Sequence, residues 1–166
     1  MSFKEINAKE LNFNPFSMIG DKWMLITCGD KESYNTMTAS WGSIGVMWNK
    51  NVVFSFIRPQ RYTSEFVEKN DYFSISFYPD EYKSALSLCG KVSGRDVDKV
   101  KEANLTPVFD EKAPYFEEAN MVLICKKLYN QNLEPICFLD EKLESFYPQK
   151  DYHKMFIGEI EKVLVK

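Results

Sequence analysis

The chain has 166 residues, of which 45% are hydrophobic, 27% are charged and 15% are aromatic, and its formal net charge is -3. This length and composition predict one globular domain that buries about two-thirds of its unfolded surface. A nucleic-acid-binding role needs a basic face, and the acidic balance together with the lack of a long lysine and arginine cluster excludes it.

Targeting and cysteine patterns lead us to expect a cytoplasmic protein. Residues 1–7 lack the apolar core of a signal peptide, and no stretch approaches 18 uninterrupted apolar residues, so no membrane segment is predicted. The four cysteines (Cys28, Cys89, Cys125 and Cys137) are far apart and form no CxxC pair. A zinc site or a disulfide framework is therefore not expected, and Cys89 is interpreted as a small buried hydrophobe.

Apolar runs between turn signals mark the predicted strands and helices. The first 20 residues, with the turn signal Asn14-Pro15, are expected to lie across the surface. Strands are predicted at 23–28, 36–47, 51–57, 71–77, 121–129 and 153–163. Helical patterns are predicted from Tyr62 or Thr63 to Asn70 and at 81–88, 96–103 and 138–146.

Glycines and capping residues refine this prediction. Gly42 and Gly45 lie inside the second predicted strand, where glycine usually marks a bulge or a bend, as a small barrel needs at its corners. Thr63 is predicted as the N-cap of the helix that follows Pro59. Six or seven strands with two to four short helices predict a mainly β fold, a closed barrel with helical additions.

Two neighbouring segments carry candidate binding residues. Residues 35–41 read Asn-Thr-Met-Thr-Ala-Ser-Trp, and residues 58–63 read Arg-Pro-Gln-Arg-Tyr-Thr at a strand-to-helix junction. A helix N-terminus beside a forked guanidinium favours phosphate, so the pair of segments suits an anionic aromatic ligand. The alternatives are an edge strand with a core tryptophan, and ordinary helix capping beside a solvated arginine.

Two further segments carry cations and the single histidine. Residues 89–99 hold Lys91, Ser93 and Lys99, but their spacing matches neither a P-loop nor a dinucleotide fingerprint, and a solvated helix face is the alternative. His153 follows Asp151 and Tyr152, and precedes an apolar run with Gly158-Glu159. A lone histidine is a poor metal site, so either proton delivery, substrate orientation or a structural role is open to it.

These four segments together resemble the flavin reductase-like and flavoredoxin family, whose fold is a six-stranded antiparallel split β-barrel that binds FMN. The resemblance covers residues 23–163, with Tyr152 inserted between the acid and the histidine of the family pattern, and Ile160 in place of its valine. It implies that His153 and Lys99 act in catalysis and that FMN is held by a set of thirteen residues: Asn35, Thr36, Met37, Thr38, Ala39, Ser40, Trp41, Arg58, Arg61, Tyr62, Thr63, Lys91 and Ser93.

The resemblance also implies a function. It predicts a homodimer with one non-covalent FMN per subunit, which accepts hydride from NADH or NADPH and passes electrons to a small molecule or a partner protein. A flavin-binding carrier, storage or sensing module without efficient NAD(P)H turnover is the main alternative. A split barrel similar to pyridoxamine phosphate oxidase, or one that binds heme, is a further alternative.

Overall fold

Residues 2–166 are described by a computed structural model, which contains ten β-strands and three α-helices. The strands are Lys4–Ile6 (β1), Met24–Gly29 (β2), Tyr34–Ala39 (β3), Gly42–Met47 (β4), Lys50–Ile57 (β5), Tyr72–Phe77 (β6), Pro107–Val108 (β7), Tyr115–Phe116 (β8), Met121–Asn132 (β9) and Lys154–Val165 (β10). The α-helices are Tyr62–Lys69 (α1), Lys83–Lys91 (α2) and Lys99–Glu102 (α3). No helix in this part of the chain is both long and apolar enough to cross a membrane.

Eight strands form one antiparallel sheet in the order β3-β2-β6-β9-β10-β5-β4, with β1 paired to β10. The 12-residue strand β10 pairs with β9 along one edge. Along its other edge, its first half pairs with β5 and its last residues pair with β1. Strands β7 and β8 form a separate two-stranded ribbon.

The two ends of this strand order are joined by the chain itself. Strands β3 and β4 lie at opposite ends of the order, yet only Ser40 and Trp41 separate them in sequence. The prediction of one continuous strand at 36–47 is therefore wrong, because the chain turns a corner there. If β3 and β4 are counted as one bent strand, the predicted six-stranded antiparallel barrel is confirmed.

Glycine permits this corner. A Cβ on Gly42 would lie 2.9 Å from the carbonyl oxygen of Phe54, so no larger residue fits where β4 begins. A Cβ on Gly45 would have no neighbour within 4 Å, so that glycine is not required by packing. The prediction of a bend is thus confirmed at Gly42 only. The β4–β5 hairpin closes through Trp48 and Asn49, both at positive φ, as a two-residue turn of this kind requires.

Apolar side chains pack on both faces of the sheet. The barrel interior is filled by side chains of β2, β5, β6, β9 and β10, with Phe73, Phe77 and Phe156 among the largest. Side chains of the N-terminal segment, including Leu11 and Phe13, pack against this cluster, as expected for a segment that crosses the surface. A second cluster lies between the outer face of the sheet and α2, with Leu86 and Phe116 at its centre.

Helix boundaries differ from the predictions in informative ways. Helix α1 begins at Tyr62 as predicted, but Arg61 is its N-cap and the predicted capping residue Thr63 is not. The pattern at 96–103 gives only the single turn α3, since a turn at residues 94–96 precedes it. The pattern at 138–146 gives a six-residue 3-10 helix, Glu141–Phe146, after a shorter one at Pro135–Cys137.

Candidate functional site

A cleft of about 250 Å³ opens at the corner between β3 and β4. The pairing of β10 with β5 sets Lys154 opposite Ile57, which brings His153, just before β10, beside Arg58, just after β5. The cleft is lined by Met37, Thr38, Ala39, Ser40, Trp41, Phe56, Arg58, Arg61 and His153. All of these except Phe56 were predicted as site residues, so the structure brings the distant segments 35–41, 58–63 and 153 together.

Two cations lie at the end of α2: the half-buried Arg61, which lines this cleft, and the buried Lys99, which lines a separate pocket with Tyr34 and Asn35. The Arg61 guanidinium donates to the carbonyl oxygen of Gly90 at 2.8 Å. The Lys99 amine donates to the carbonyl oxygens of Cys89 at 3.3 Å and Val92 at 3.4 Å. The last carbonyls of a helix lack partners within the helix and carry partial negative charge, so they stabilise both cations.

The two cations also affect one another. Lys99 is only 4% exposed, so the alternative of a solvated helix face is wrong for this residue. The pKa of Lys99 is lowered to about 8, mainly by burial; Cys89 opposes this shift and Arg61 adds to it. Burial and then Arg58 also lower the pKa of Arg61. Cations held at lowered pKa favour an anion that would relieve their desolvation and mutual repulsion.

Hydrogen bonds join β3 to α1 and α2. The Asn35 side-chain amide donates to the Thr63 hydroxyl at 2.8 Å, and both residues are buried. The Thr38 hydroxyl donates to the Leu86 carbonyl oxygen. Gly94 packs so closely on this network that a Cβ there would lie 2.1 Å from Asn35 Oδ1. The Thr63 hydroxyl therefore makes a tertiary contact, and Thr63 is the second residue of α1 rather than its N-cap.

The other residues of segment 35–41 have distinct surroundings. Thr36 is fully buried, and its hydroxyl bonds to that of Thr27 at 2.8 Å, so it points into the sheet rather than the cleft. Met37 and Ala39 line the cleft but are largely buried. Trp41 is 42% exposed and covers the cleft from the corner.

His153 forms the far wall of the cleft. Its ring lies 5.0 Å from that of Trp41, and its Nδ1 is 2.8 Å from the hydroxyl of Tyr147. Burial, reinforced by Arg58, lowers the pKa of His153 to about 4, although Asp151 opposes this. The ring is therefore neutral at pH 7.

Arg58 is already engaged by the segment that precedes His153. Its guanidinium forms an ion pair with Asp151, donates to the Phe146 carbonyl oxygen at 2.9 Å and lies 5.0 Å from the centroid of the Tyr147 ring. Arg58 and Gln60 lower the pKa of Asp151 by hydrogen bonding to its carboxylate. Asp151, which corresponds to the acid before the histidine in the family pattern, thus forms an ion pair with Arg58 in this chain.

The remaining predicted residues lie outside the cleft lining. Tyr62 stacks against Arg95, whose guanidinium carbon is 4.5 Å from the ring centroid. The Ser93 hydroxyl accepts from the backbone amide of Arg95 at 3.2 Å. Lys91 is exposed at the end of α2. Their roles in cofactor binding stay predictions.

Three residues at the site were missed in the sequence. Phe56 lies two residues before Arg58, and residues two apart in a strand lie on the same face. The period-two alternation of β5 therefore indicated that Phe56 faces the same site as Arg58. Phe146 packs edge-on against Trp41 at 5.5 Å, and Tyr147 bonds to His153. No local pattern reveals these two, because an irregular segment carries them to the cleft.

The cysteines take no part in this arrangement. Cys28, Cys89 and Cys125 are buried, and Cys137 is exposed. Burial raises the pKa of Cys89 to about 11 and that of Cys28 to about 12, which keeps both as thiols. The interpretation of Cys89 as a small buried hydrophobe is confirmed. Between residues 2 and 166 no three or more His, Cys, Asp or Glu residues are grouped so that they could hold a metal ion.

Comparison with known proteins gives a family match over most of the chain. Residues 17–166 match the model of the family described as "Flavin reductase like domain". No match was found among curated proteins.

Solved structures of similar fold were also found. The chain is 26% identical to flavoredoxin of Desulfovibrio vulgaris (Miyazaki F), with a TM-score of 0.67 over 87% of this chain and 69% of that one. It is 14% identical to an FMN-binding domain of a flavin reductases-like enzyme from Shewanella baltica OS155, with a TM-score of 0.71 over 99% and 77%. It is 18% identical to nitrilotriacetate monooxygenase component B from Bacillus cereus, with a TM-score of 0.67 over 95% and 79%. The similarities to the Shewanella baltica and Bacillus cereus proteins show a shared fold and nothing more.

Proposed function

Because the chain belongs to the flavin reductase-like domain family, we propose that it binds FMN non-covalently in the cleft and works as an oxidoreductase. In this proposal the hydride donor is NADH or NADPH, and the electrons pass to a downstream small molecule or protein. We further propose that the protein works as a homodimer, as the sequence resemblance implies.

The observation that carries the proposal is the pair of cations at the end of α2. Within residues 2–166, Arg61 and Lys99 are hydrogen-bonded to backbone carbonyls and form no ion pair with a carboxylate. A buried cation without a counter-ion is costly, so both side chains gain from a phosphate group. The forked guanidinium of Arg61 suits two phosphate oxygens, and the amine of Lys99 adds a point charge.

The rest of the cleft suits the flat ring of FMN. Trp41 and Phe56 supply aromatic surface, and the backbone of the corner at Ser40 supplies polar groups beside it. When bound, FMN supplies the ring that accepts hydride and passes electrons on. The residues of this chain would position that ring, exclude water from one of its faces and hold a neutral imidazole beside it.

A carrier, storage or sensing role without efficient NAD(P)H turnover is the second candidate. It is favoured by the similarity to a flavoredoxin. Both candidates need the same FMN site, so they differ only in the response to nicotinamide. Visible spectra of the FMN-loaded protein, recorded without oxygen before and after NADH or NADPH, separate them. Rapid bleaching of the flavin bands supports the reductase, and bands that persist support the carrier or store.

A matched pair of arginine variants tests the phosphate site. Arg61→Ala removes a cation of the cleft, whereas Arg95→Ala removes an exposed cation paired with Glu65. Hydrogen bonds to charged groups contribute about 1.5–3 kcal/mol, so we expect Arg61→Ala to weaken FMN binding roughly ten- to hundredfold. Arg95→Ala should retain nearly all of the affinity. Fluorescence titration of apoprotein with FMN measures both, and equal affinities of the two variants would contradict the assignment.

A further inference from the structure

Tyr147 and the sole histidine of the chain form a buried pair at the wall of the cleft. The Tyr147 hydroxyl lies 2.8 Å from Nδ1 of His153, and the two rings meet edge to face at 5.5 Å. Tyr147 is 6% exposed and His153 is 9% exposed. No polar side chain other than Tyr147 bonds to the imidazole within the described residues.

The burial of the pair decides which atom donates. If Nδ1 carried the hydrogen and donated it to Tyr147, the hydroxyl hydrogen would need another acceptor. No other acceptor for this hydroxyl is present in residues 2–166, and leaving a buried donor unpaired is costly. A phenolic O–H is also a strong donor and an imidazole nitrogen a good acceptor. Tyr147 therefore donates to Nδ1.

The direction of this bond fixes the state of the imidazole. A neutral imidazole carries one hydrogen, so an Nδ1 that accepts leaves the hydrogen on Nε2. We propose that Tyr147 is a positioning residue that holds His153 as the neutral Nε2–H tautomer, with Nε2 as a hydrogen-bond donor to an oxygen or nitrogen acceptor of the ligand in the cleft. His153 then orients the ligand and does not act as a general base, because Nε2 is protonated and Nδ1 is occupied.

Arg58 also contacts Tyr147 and the residue before it. Its guanidinium lies against the Tyr147 ring, bonds to the carbonyl oxygen of the preceding Phe146 and pairs with Asp151. The charged and titratable groups that face the pair are thus Arg58, Asp151 and the neighbouring Tyr152, whose ring lies 4.9 Å from that of Tyr147. Arg58 fixes the segment, and Tyr147 fixes the imidazole.

Because His153 is the only histidine, its tautomer can be measured directly. The full-length protein is labelled with 15N-histidine, and the two ring nitrogens are assigned by NMR at pH 7 without FMN. We expect a protonated Nε2 and an unprotonated Nδ1 in the wild-type protein. A protonated Nδ1, or a mixture of both tautomers, would overturn the proposal without the need for any variant.

Variants then test whether Tyr147 is the cause. Tyr147→Phe removes the hydroxyl, and we expect His153 to become a mixture of tautomers in rapid exchange. Tyr152→Phe is the matched control, since it removes a neighbouring hydroxyl that does not bond to His153, and its spectrum should equal that of the wild type. If Tyr147→Phe is folded and retains the pure Nε2–H form, Tyr147 is not the positioning residue.

The role of the Nε2 donor in function rests on the proposed function and needs a separate readout. We expect Tyr147→Phe still to bind FMN but to be reduced by the active nicotinamide about three- to tenfold more slowly in single-turnover experiments, consistent with the loss of one oriented hydrogen bond. An unchanged rate would overturn the ligand-orienting part. If the wild-type protein binds no FMN at all, the proposed function fails while the tautomer assignment still stands.

Discussion

The amine of Lys99 gives the proposed phosphate site a pH dependence. Because burial lowers its pKa to about 8, its positive charge is present below this pH and is lost as the pH rises through it. We expect the FMN affinity of the wild-type protein to fall by about tenfold between about pH 7 and pH 10, which corresponds to about one pKa unit of coupling between amine and phosphate. Fluorescence titrations of the apoprotein with FMN measure this affinity at each pH.

The matched variant for this experiment is Lys99→Met, which has no titrating amine. It should bind FMN more weakly than the wild type at pH 7, and its affinity should change little up to pH 10. A wild-type affinity that is constant over the same range would show that Lys99 does not contact the phosphate.

The buried imidazole of His153 predicts how stability varies with acid. Its pKa is about 4 in the folded protein and about 6.5 in an unfolded chain. Only the unfolded state gains a proton as the pH falls from about 6.5 to 4, so the contribution of this ring is fully present above that window and declines through it. The free energy of unfolding should fall by at most about 1.4 kcal/mol per pH unit from this cause.

The variant His153→Gln isolates that effect, because the carboxylates that titrate in the same range are common to both proteins. Urea denaturation from about pH 4 to pH 7 should show a shallower pH dependence for the variant. Parallel curves for the two proteins would mean that the pKa of His153 is the same in the folded protein as in the unfolded chain.

Most of the cleft could be predicted from sequence, because segments 35–41 and 58–63 carry residue types that suit an anionic aromatic ligand. The limit of that reasoning is visible in Thr36 and Thr63, whose hydroxyls bond within the protein. A hydroxyl on a strand or helix can face either a ligand or a neighbouring element, and only the packing decides. Tyr147 could not be found at all, since its bond to His153 depends on the path of an irregular segment.

Gly158, in strand β10, lies where the packing leaves no room for a side chain. It lies at a register shift in β10, and a Cβ there would be 2.7 Å from Cζ of Phe73 and 3.0 Å from Cβ of Cys125. Overpacking of this kind typically costs about 1–3 kcal/mol, so we expect Gly158→Ala to lower the free energy of unfolding by that amount. Gly45→Ala, in a strand position with open space, should leave it nearly unchanged. Urea denaturation measures the free energy of unfolding of both variants, and equal losses of this free energy would contradict the packing explanation.

The accuracy of the strand predictions follows the strength of the local pattern. Strand β6, with aromatic and aliphatic residues alternating with serine, was predicted to within one residue. The two-residue strands β7 and β8 and the three-residue strand β1 carry too few residues for a period to show. Strand β1 forms by pairing with β10, and β7 and β8 form by pairing with each other. Such pairing is information that a local window lacks.

The chain as a whole should unfold as one unit. The two apolar clusters lie on opposite faces of the same sheet, and β2, β9 and β10 contribute buried side chains to both. Neither cluster can be lost while the other persists, because the strands are shared. We expect tryptophan fluorescence and far-ultraviolet circular dichroism to report the same urea midpoint. Two separate midpoints would contradict the prediction of a single domain.

The number of strands in the barrel and its fold class could be predicted from the sequence. The way in which the barrel closes could not. The apolar pattern runs on from β3 into β4, so the sequence indicates one strand. The corner at Ser40 and Trp41 exists because β3 pairs with β2 whereas β4 pairs with β5. Such pairing is a property of the complete sheet, and a single strand does not contain it.

The carbonyl groups at the end of α2 also bear on when a cofactor can be acquired. Arg61 and Lys99 have hydrogen-bond partners in Gly90, Cys89 and Val92 as soon as the chain has folded. Their charges therefore do not require a phosphate for the chain to reach its native structure. If the chain binds FMN as proposed, we therefore expect synthesis and loading to be separable in time, so that a chain made while FMN is scarce folds first and is filled later.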